Sequence, residues 1–289
     1  MSVAVPQRVG LVVHTQRPVA VELARRVASE LASHGVAVRL PAGEASELGL
    51  DELGCPSDAF ADGLDLVLAL GGDGTMLRAV DLAYTGGAAV LGVNAGQLGY
   101  LTEVEPDALD AAMGRLLAGD YAVTERMVLQ VTVVSSGSAS GRWSALNETV
   151  LEKVHPGHIV RLAVSINGSF FTTYAADGVI VATPTGSTAY SFSARGPIVS
   201  PRHHCLLLTP VSPHMLFDRS LVLDPDEELS FEVVDERSVA LVIDGRECGE
   251  LVPGDVVTCT AGPRPARVAT LAPRDFHQIL KAKFQLTDR

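Results

Sequence analysis

The sequence predicts an α/β open-sheet domain followed by an all-β, β-sandwich-like domain. Three observations point there. Up to about residue 124, apolar runs of strand length alternate with amphipathic runs of helical period, the pattern of a parallel sheet with crossover helices. Beyond Arg126 the helical period gives way to short β-rich runs. Within that second half, the Asn-Gly pair of "INGS" at 166–169 tolerates the positive φ angles a two-residue hairpin needs.

In the first half, "RVGLVVH" reads as a buried strand, and from Pro18 onward Leu23, Val27 and Leu31 recur at i, i+4 and i+8 before Gly35, as in an amphipathic helix. "VAVRL" from Val36, "LDLVLAL" and "AAVLGVN" read as further strands. "TMLRAVDLAY", starting at about Thr75, and "DALDAAMGRLLAG" read as helices. The β-rich half carries "MVLQVTVV", "IVRLAVSI", "SFFTTYA", "ELSFEVV", "SVALVI" and "VVTCT", with "SSGSASG" as a solvent loop. The tail "DFHQILKAKF" reads as a segment returning to the first domain. The expected division is 1–124 for the α/β domain, 125–271 for the β-rich domain and 272–289 for the tail.

A 289-residue chain with 47% hydrophobic residues has enough apolar material for packed cores, which excludes disorder. The net charge of -12 argues against a nucleic-acid partner that needs a basic surface. The four cysteines show no metal or disulfide spacing and read as idle thiols. The N-terminal apolar run is too short for a signal peptide, and no stretch reaches membrane-spanning length, so a cytoplasmic protein without a membrane partner is expected.

Chemistry concentrates in a few clusters. "GGDGT" (Gly71, Gly72, Asp73, Gly74, Thr75) closes a buried strand where open α/β sheets bind ligands, and a helix starts beside it, so its unpaired N–H groups point into the same space. A carboxylate next to a phosphate cradle implies a bridging divalent cation, or work on a hydroxyl. The P-loop, the G-x-G-x-x-G turn and the nucleophile elbow are all missing from the chain. "GVNAGQLGYL" makes a second open loop, through Asn94, Gly96 and Gly99, at the same sheet edge. In the β-rich half "ALNETVLEK" carries Asn147 and Glu148, read either as strand-end polar residues or as a pair for a ribose or base. The run after "VIVA" holds Thr183, Thr185, Ser187, Thr188, Tyr190, Ser191 and Ser193, hydroxyls suited to a sugar or adenine edge, with Tyr190 able to stack on a ring.

The ordered set "GGDGT", "NAGQLGYL", "ALNE", "DGVIVATPTGSTAYSFS" and "TPVSPH" resembles the NAD kinase family from about Arg8 to Leu286. The resemblance implies transfer of a phosphoryl group from ATP or polyphosphate to the 2′-hydroxyl of the adenosine ribose of NAD. It makes Asp73 the general base, and gives nucleotide contacts to Gly74 and Arg78. It gives dinucleotide contacts to Asn147, Glu148, His158, Asp177, the stretch Thr188, Ala189, Tyr190, Ser191, Phe192 and Ser193, and to Ser212 and Arg246. It also implies Mg2+ or another divalent cation, with metal ligands unassigned, and a homodimer or homotetramer. Relatives commonly carry two glycines at Arg195-Gly196, glutamine at Arg246 and a basic residue at Ala175. A lipid kinase would share "GGDGT" but not the hydroxyl-rich run, and a non-catalytic dinucleotide sensor would have no need of Asp73.

Overall fold

A computed structural model describes residues 4–96, 99–135, 138–273 and 275–286. The chain begins with β1 (Arg8–Val13), α1 (Pro18–Ser33), β2 (Ala37–Pro41), α2 (Ala42–Leu48), β3 (Gly54–Cys55), β4 (Leu66–Gly71), α3 (Asp73–Tyr84), β5 (Ala89–Asn94), α4 (Leu109–Leu117) and β6 (Ala122–Arg126). It continues with β7 (Leu129–Val134), β8 (Gly141–Ala145), β9 (Glu148–Lys153), β10 (Val160–Ile166), β11 (Ser169–Ala176) and β12 (Gly178–Ala182). After the short α5 (Tyr190–Ser193) come β13 (Leu206–Val211), β14 (Leu221–Leu223), β15 (Leu229–Val233), β16 (Val239–Ile243), β17 (Arg246–Leu251) and β18 (Val256–Ala261). β19 (Ala266–Thr270) and α6 (Phe276–Lys283) close the chain.

Two compact units result: one formed by the chain up to Glu125 and from Ala266 onward, the other by Arg126–Pro265. The first holds a seven-stranded sheet in the order β3-β2-β1-β4-β5-β19-β6. β1 pairs in parallel with both β2 and β4, and β4 with β5. Chain order runs outward from β1 in both directions, so the sheet changes direction at the β1/β4 pair, and the C-terminal ends of those strands flank a natural crevice. α1 begins with Pro18 at its first turn, buries Leu23, Val27 and Leu31, and ends before Gly35 at φ +74°. β4 and β5 are buried along their whole length, which is why they read as unbroken apolar runs.

Two features of this unit differ from the sequence expectation. α2 was not expected, because one short helix with only Glu44, Ala45 and Leu48 buried is too brief to display a period. The return to the first unit starts at Ala266, ahead of the expected 272, because "ARVAT" is a strand that pairs in parallel with β5, Val268 opposite Val90. Its apolar run is indistinguishable from the β-rich runs before it.

The second unit is two six-stranded sheets, β11-β10-β15-β18-β7-β8 and β14-β13-β12-β9-β16-β17, every recorded pairing antiparallel. Their inward side chains, among them Leu129, Val131, Leu162, Phe231, Leu151, Val181, Leu208 and Leu241, form one core. Asn167 and Gly168 adopt φ +52° and +75°, the hairpin expected of "INGS". β12 is apolar on both faces, since Ile180 and Ala182 join Val150 of β9 and Leu207 of β13 in a second cluster behind the sheet. The four cysteines are free thiols; Cys205 and Cys259 are buried, Cys55 and Cys248 partly so.

Candidate active site

In the first unit α3 starts at Asp73 rather than Thr75, so the aspartate occupies the first helical turn, with Gly72 as N-cap. Its carboxylate accepts backbone N–H groups from Tyr100 (2.8 Å, to Oδ2) and Leu101 (3.0 Å, to Oδ1). The two glycine loops are thus joined through one side chain. Asp73 is half-buried and keeps further lone pairs for a ligand proton, since each carboxylate oxygen can accept twice.

Gly71 and Gly99 are required for close approach and not for positive φ. A Cβ on Gly71 would overlap the hydroxyl of Thr75, and one on Gly99 would overlap the Asp73 carboxylate. Neither Gly71, Gly72 nor Gly74 has a positive φ. Thr75 is buried and turned against Gly71, bracing the turn, while Gly74 is exposed, and a Cβ placed on it would meet nothing within 4 Å. Asn94 is buried, donates to both oxygens of Glu105 (3.1 and 3.0 Å) and accepts the Gly96 N–H (3.2 Å), which shapes the second loop. Gln97 and Leu98 of that loop lie outside the described residues.

A cleft of about 470 Å³ opens at the change of sheet direction, lined by residues 13–17 after β1 and by Gly72, Asp73, Gly74, Thr75 and Arg78. Arg78 reaches back to the Val13 carbonyl (3.0 Å) and pairs with Glu44 at 2.7 Å. Burial raises the Glu44 carboxyl above its ordinary range, opposed by the Val13 N–H it accepts and by Arg78. Arg17, which the sequence motifs do not single out, lies across Gly72 and Gly96. The signal was the Arg-Pro pair at the end of "VVHTQRP", where a cation is set just before a helix.

In the second unit Asp244 organises the other cluster. Its carboxylate accepts three consecutive backbone N–H groups, from Leu146 (2.7 Å), Asn147 (2.8 Å) and Glu148 (3.0 Å). Asp244 and Gly245, at φ +47° and +77°, form the β16–β17 hairpin turn. This residue too is absent from the sequence expectation, although "IDGR" between two apolar runs is a hairpin signal. The Asn147 carbonyl accepts the Thr183 N–H (2.8 Å), and a Cβ on Gly186 would overlap that carbonyl, so the run from Thr183 is fitted against Asn147.

Glu148 is buried, and its carboxylate accepts the Tyr190 backbone N–H, while Oε2 has no hydrogen-bond partner among the described residues. Burial, reinforced by the nearby Asp244 charge, pushes its carboxyl up to about 8. Such a carboxyl holds its proton at neutral pH and can donate.

Many hydroxyls of the 183–193 run are engaged internally. Thr183 donates to Leu146 O and Thr188 to Thr185 O (3.4 Å), while the Ser187 hydroxyl lies within reach of Pro184 O (2.7 Å) and Val199 O (3.0 Å) and accepts the Val199 N–H (3.0 Å). Ser191 is fully buried against Thr209 (3.1 Å). These residues shape the loop, leaving Tyr190, Phe192 and Ser193 exposed and Ala189 half-buried. Asp177, at the head of β12, pairs with Lys153 at 2.7 Å. Burial raises the Tyr190 phenol, and Glu152 and Asp177 add to this while Lys153 opposes it, which puts Tyr190 within their field. Ser212 is exposed at φ +44° just past β13, whose Val211 carbonyl accepts the Asp177 N–H (3.0 Å). Arg246 is exposed at the start of β17. His158 lines a cavity of about 270 Å³ with Lys153, the partner of Asp177, and with His155, Arg237 and Glu250.

An open sheet, parallel across β1, β2, β4 and β5, whose glycine loops hold a carboxylate at the change of direction, on one chain with an antiparallel all-β unit, defines the class: a two-domain α/β plus all-β protein with a crevice of the ligand-binding kind at the switch point of its sheet. Residues 9–121 match the ATP-NAD kinase N-terminal domain, and residues 146–271 the ATP-NAD kinase C-terminal domain. The NAD kinase of Symbiobacterium thermophilum is 41% identical over 278 residues, covering 96% of this chain and 98% of that one. The NAD kinase of Heliobacterium modesticaldum is likewise 41% identical, over 281 residues, with the same coverage. Among solved structures, yeast NADH kinase complexed with NADH matches with a TM-score of 0.90 over 98% of this chain and 88% of its own, at 24% identity. An NAD kinase from Archaeoglobus fulgidus in complex with ATP matches with a TM-score of 0.74 over 96% and 98%, also at 24% identity. The chain belongs to the NAD kinase family.

Proposed function

We propose that this protein transfers a phosphoryl group from ATP, or from inorganic polyphosphate, to the 2′-hydroxyl of the adenosine ribose of NAD, producing NADP. Family membership carries the reading, and the backbone-held carboxylate of Asp73 supports its chemistry. A ribose hydroxyl is a weak acid, and phosphoryl transfer has a loose transition state, so orientation and electrostatics supply most of the rate. Asp73, steered by the Tyr100 and Leu101 N–H groups, accepts the hydroxyl proton as the oxygen–phosphorus bond forms and the donor's terminal bond breaks. Gly74 leaves room for a nucleotide beside it, and Arg78, paired with Glu44, lines the same cleft. Asn147, a protonated Glu148, Asp177, Tyr190 and the exposed neighbours of Tyr190 hold the dinucleotide.

Among the described residues no group of three or more His, Cys, Asp or Glu side chains would cage a metal. Magnesium, the divalent cation of this reading, commonly binds through substrate phosphates and one or two carboxylates while keeping several waters. Bound with the donor, such a cation would offset the negative charge of its phosphates. Among the described residues no helix is long and apolar enough to cross a membrane. A cytoplasmic homodimer or homotetramer completes the proposal, on the family resemblance alone.

The test is direct: purified protein, NAD, magnesium and either ATP or polyphosphate, with NADP measured. NADP formation that stops with excess chelator is expected. No NADP with any phosphoryl donor would make the protein a dinucleotide sensor instead.

A further inference from the structure

We infer that Arg17 binds the phosphate chain of the phosphoryl donor, and that a glycine at position 96 leaves room for its guanidinium. This rests on the kinase reading above. Arg17 stands between the end of β1 and Pro18, the first residue of α1, with φ -105° and ψ 112°. A residue before proline is confined to extended backbone, so the direction in which the arginine leaves the chain is set before any ligand arrives. Its Nη1 would overlap a Cβ on Gly96 and would lie 3.7 Å from one on Gly72. The guanidinium therefore spans the loops after β4 and β5, at the mouth of the cleft that also holds Asp73.

The charges lining this cleft are unequally matched. Arg78 is neutralised by Glu44 and held by the Val13 carbonyl. Asp73 accepts two backbone N–H groups. Arg17 is half-buried and has no carboxylate partner among the described residues; the one polar contact of its guanidinium there is a long one to the Ala95 carbonyl, at 3.5 Å. Acidic residues outnumber basic ones, 34 to 22, in the whole chain, so an unmatched cation is not for want of carboxylates. A planar fork of donors held over two glycine loops fits a bidentate phosphate, whose oxygens supply the missing negative charge. The ligand is a polyphosphate chain, supplied either by a nucleoside triphosphate or by inorganic polyphosphate.

Calorimetric titration of the full chain with magnesium-ATP and, separately, with magnesium-tripolyphosphate tests this in the wild type, Arg17→Met, Arg17→Lys and Gly96→Ala. Arg17→Met should lose about 10- to 100-fold in affinity for whichever donor binds the wild type, with NAD affinity kept within a few-fold. Loss in the ATP arm identifies a nucleotide donor, and loss in the tripolyphosphate arm an inorganic one. Arg17→Lys should recover part of the loss, because it restores the charge without the fork. Gly96→Ala, which keeps the arginine and moves it, should weaken donor binding in the same direction. In turnover assays the donor KM should rise while the NAD KM holds. Unchanged donor affinity and KM in Arg17→Met and Gly96→Ala, with melting unchanged, would overturn the assignment. NADP formation by the wild type together with that result rejects Arg17 and leaves the kinase reading standing. Arg17-dependent donor binding in a protein that makes no NADP rejects the kinase reading and leaves Arg17 standing.

Discussion

Asp73 is tied to Tyr100 and Leu101 through both carboxylate oxygens, so its chemistry and its loop are coupled. An asparagine there can accept only one of the two N–H groups and turns its own NH2 toward the other. Asp73→Asn should therefore lower turnover by roughly 10²- to 10⁴-fold, as expected for loss of a general base. It should also cost about 1–3 kcal/mol of stability for the unpaired N–H. Kinetics and urea denaturation measure the two effects separately, and turnover surviving at the wild-type level would remove Asp73 from the proton transfer. Arg195 poses the opposite case. It closes the turn after α5 at φ +67°, its N–H bonded to the Phe192 carbonyl (2.9 Å), a conformation that suits glycine. Arg195→Gly should raise stability by about 1 kcal/mol, read as a higher melting temperature. A lower one would mean that the arginine side chain contributes more than its backbone strain removes.

At the level of elements, the β16–β17 hairpin supports the start of β9 through Asp244, and the loop before α5 covers Glu148 through the Tyr190 N–H. Three elements distant in sequence thereby enclose one carboxyl. Its folded-state pKa, raised from 4.5 to about 8, means that the folded protein keeps a proton the unfolded chain releases. Glu148's contribution is thus fully present below pH 4.5 and is lost as the pH rises toward 8 and beyond. In Glu148→Gln the decline of stability across that window should be shallower than in the wild type. Denaturation midpoints at about pH 5 and about pH 8 for both proteins give the comparison, and equal slopes would show that Glu148 is ionised in the fold. "ALNE" announced the polar pair, but the neighbours that protonate it lie in segments far along the chain.

For the whole molecule, the two units differ in how the chain builds them. Arg126–Pro265 is continuous and owns both of its sheets and the core between them. The other unit takes β19 from the far end of the chain and inserts it between β5 and β6. A protein ending at Pro265 leaves β5 without that neighbour, opening the sheet and exposing an edge. Residues 126–265 alone should melt cooperatively with a β-type circular dichroism spectrum. A chain ending at Pro265 should lose the cooperative unfolding of the α/β unit and become sensitive there to limited proteolysis. Protection of residues 8–125 in the truncated protein would show that β19 is dispensable.

What the sequence determined by itself was local: strands and helices with a clear period, the Asn-Gly hairpin, the glycine loops, and the identity of the residues that carry chemistry. Hydrophobic period and turn chemistry are properties of neighbouring residues, so they are visible along the chain. The tertiary structure alone decided which groups meet. It tied Asp73 to the Tyr100–Leu101 backbone, set Asp244 beneath Asn147 and Glu148, turned Thr183, Ser187 and Ser191 inward, and paired "ARVAT" in parallel with β5. It also laid Arg17 over two glycine loops. Each of these depends on contacts across tens of residues or more, where burial and charge are set by partners that no local pattern names.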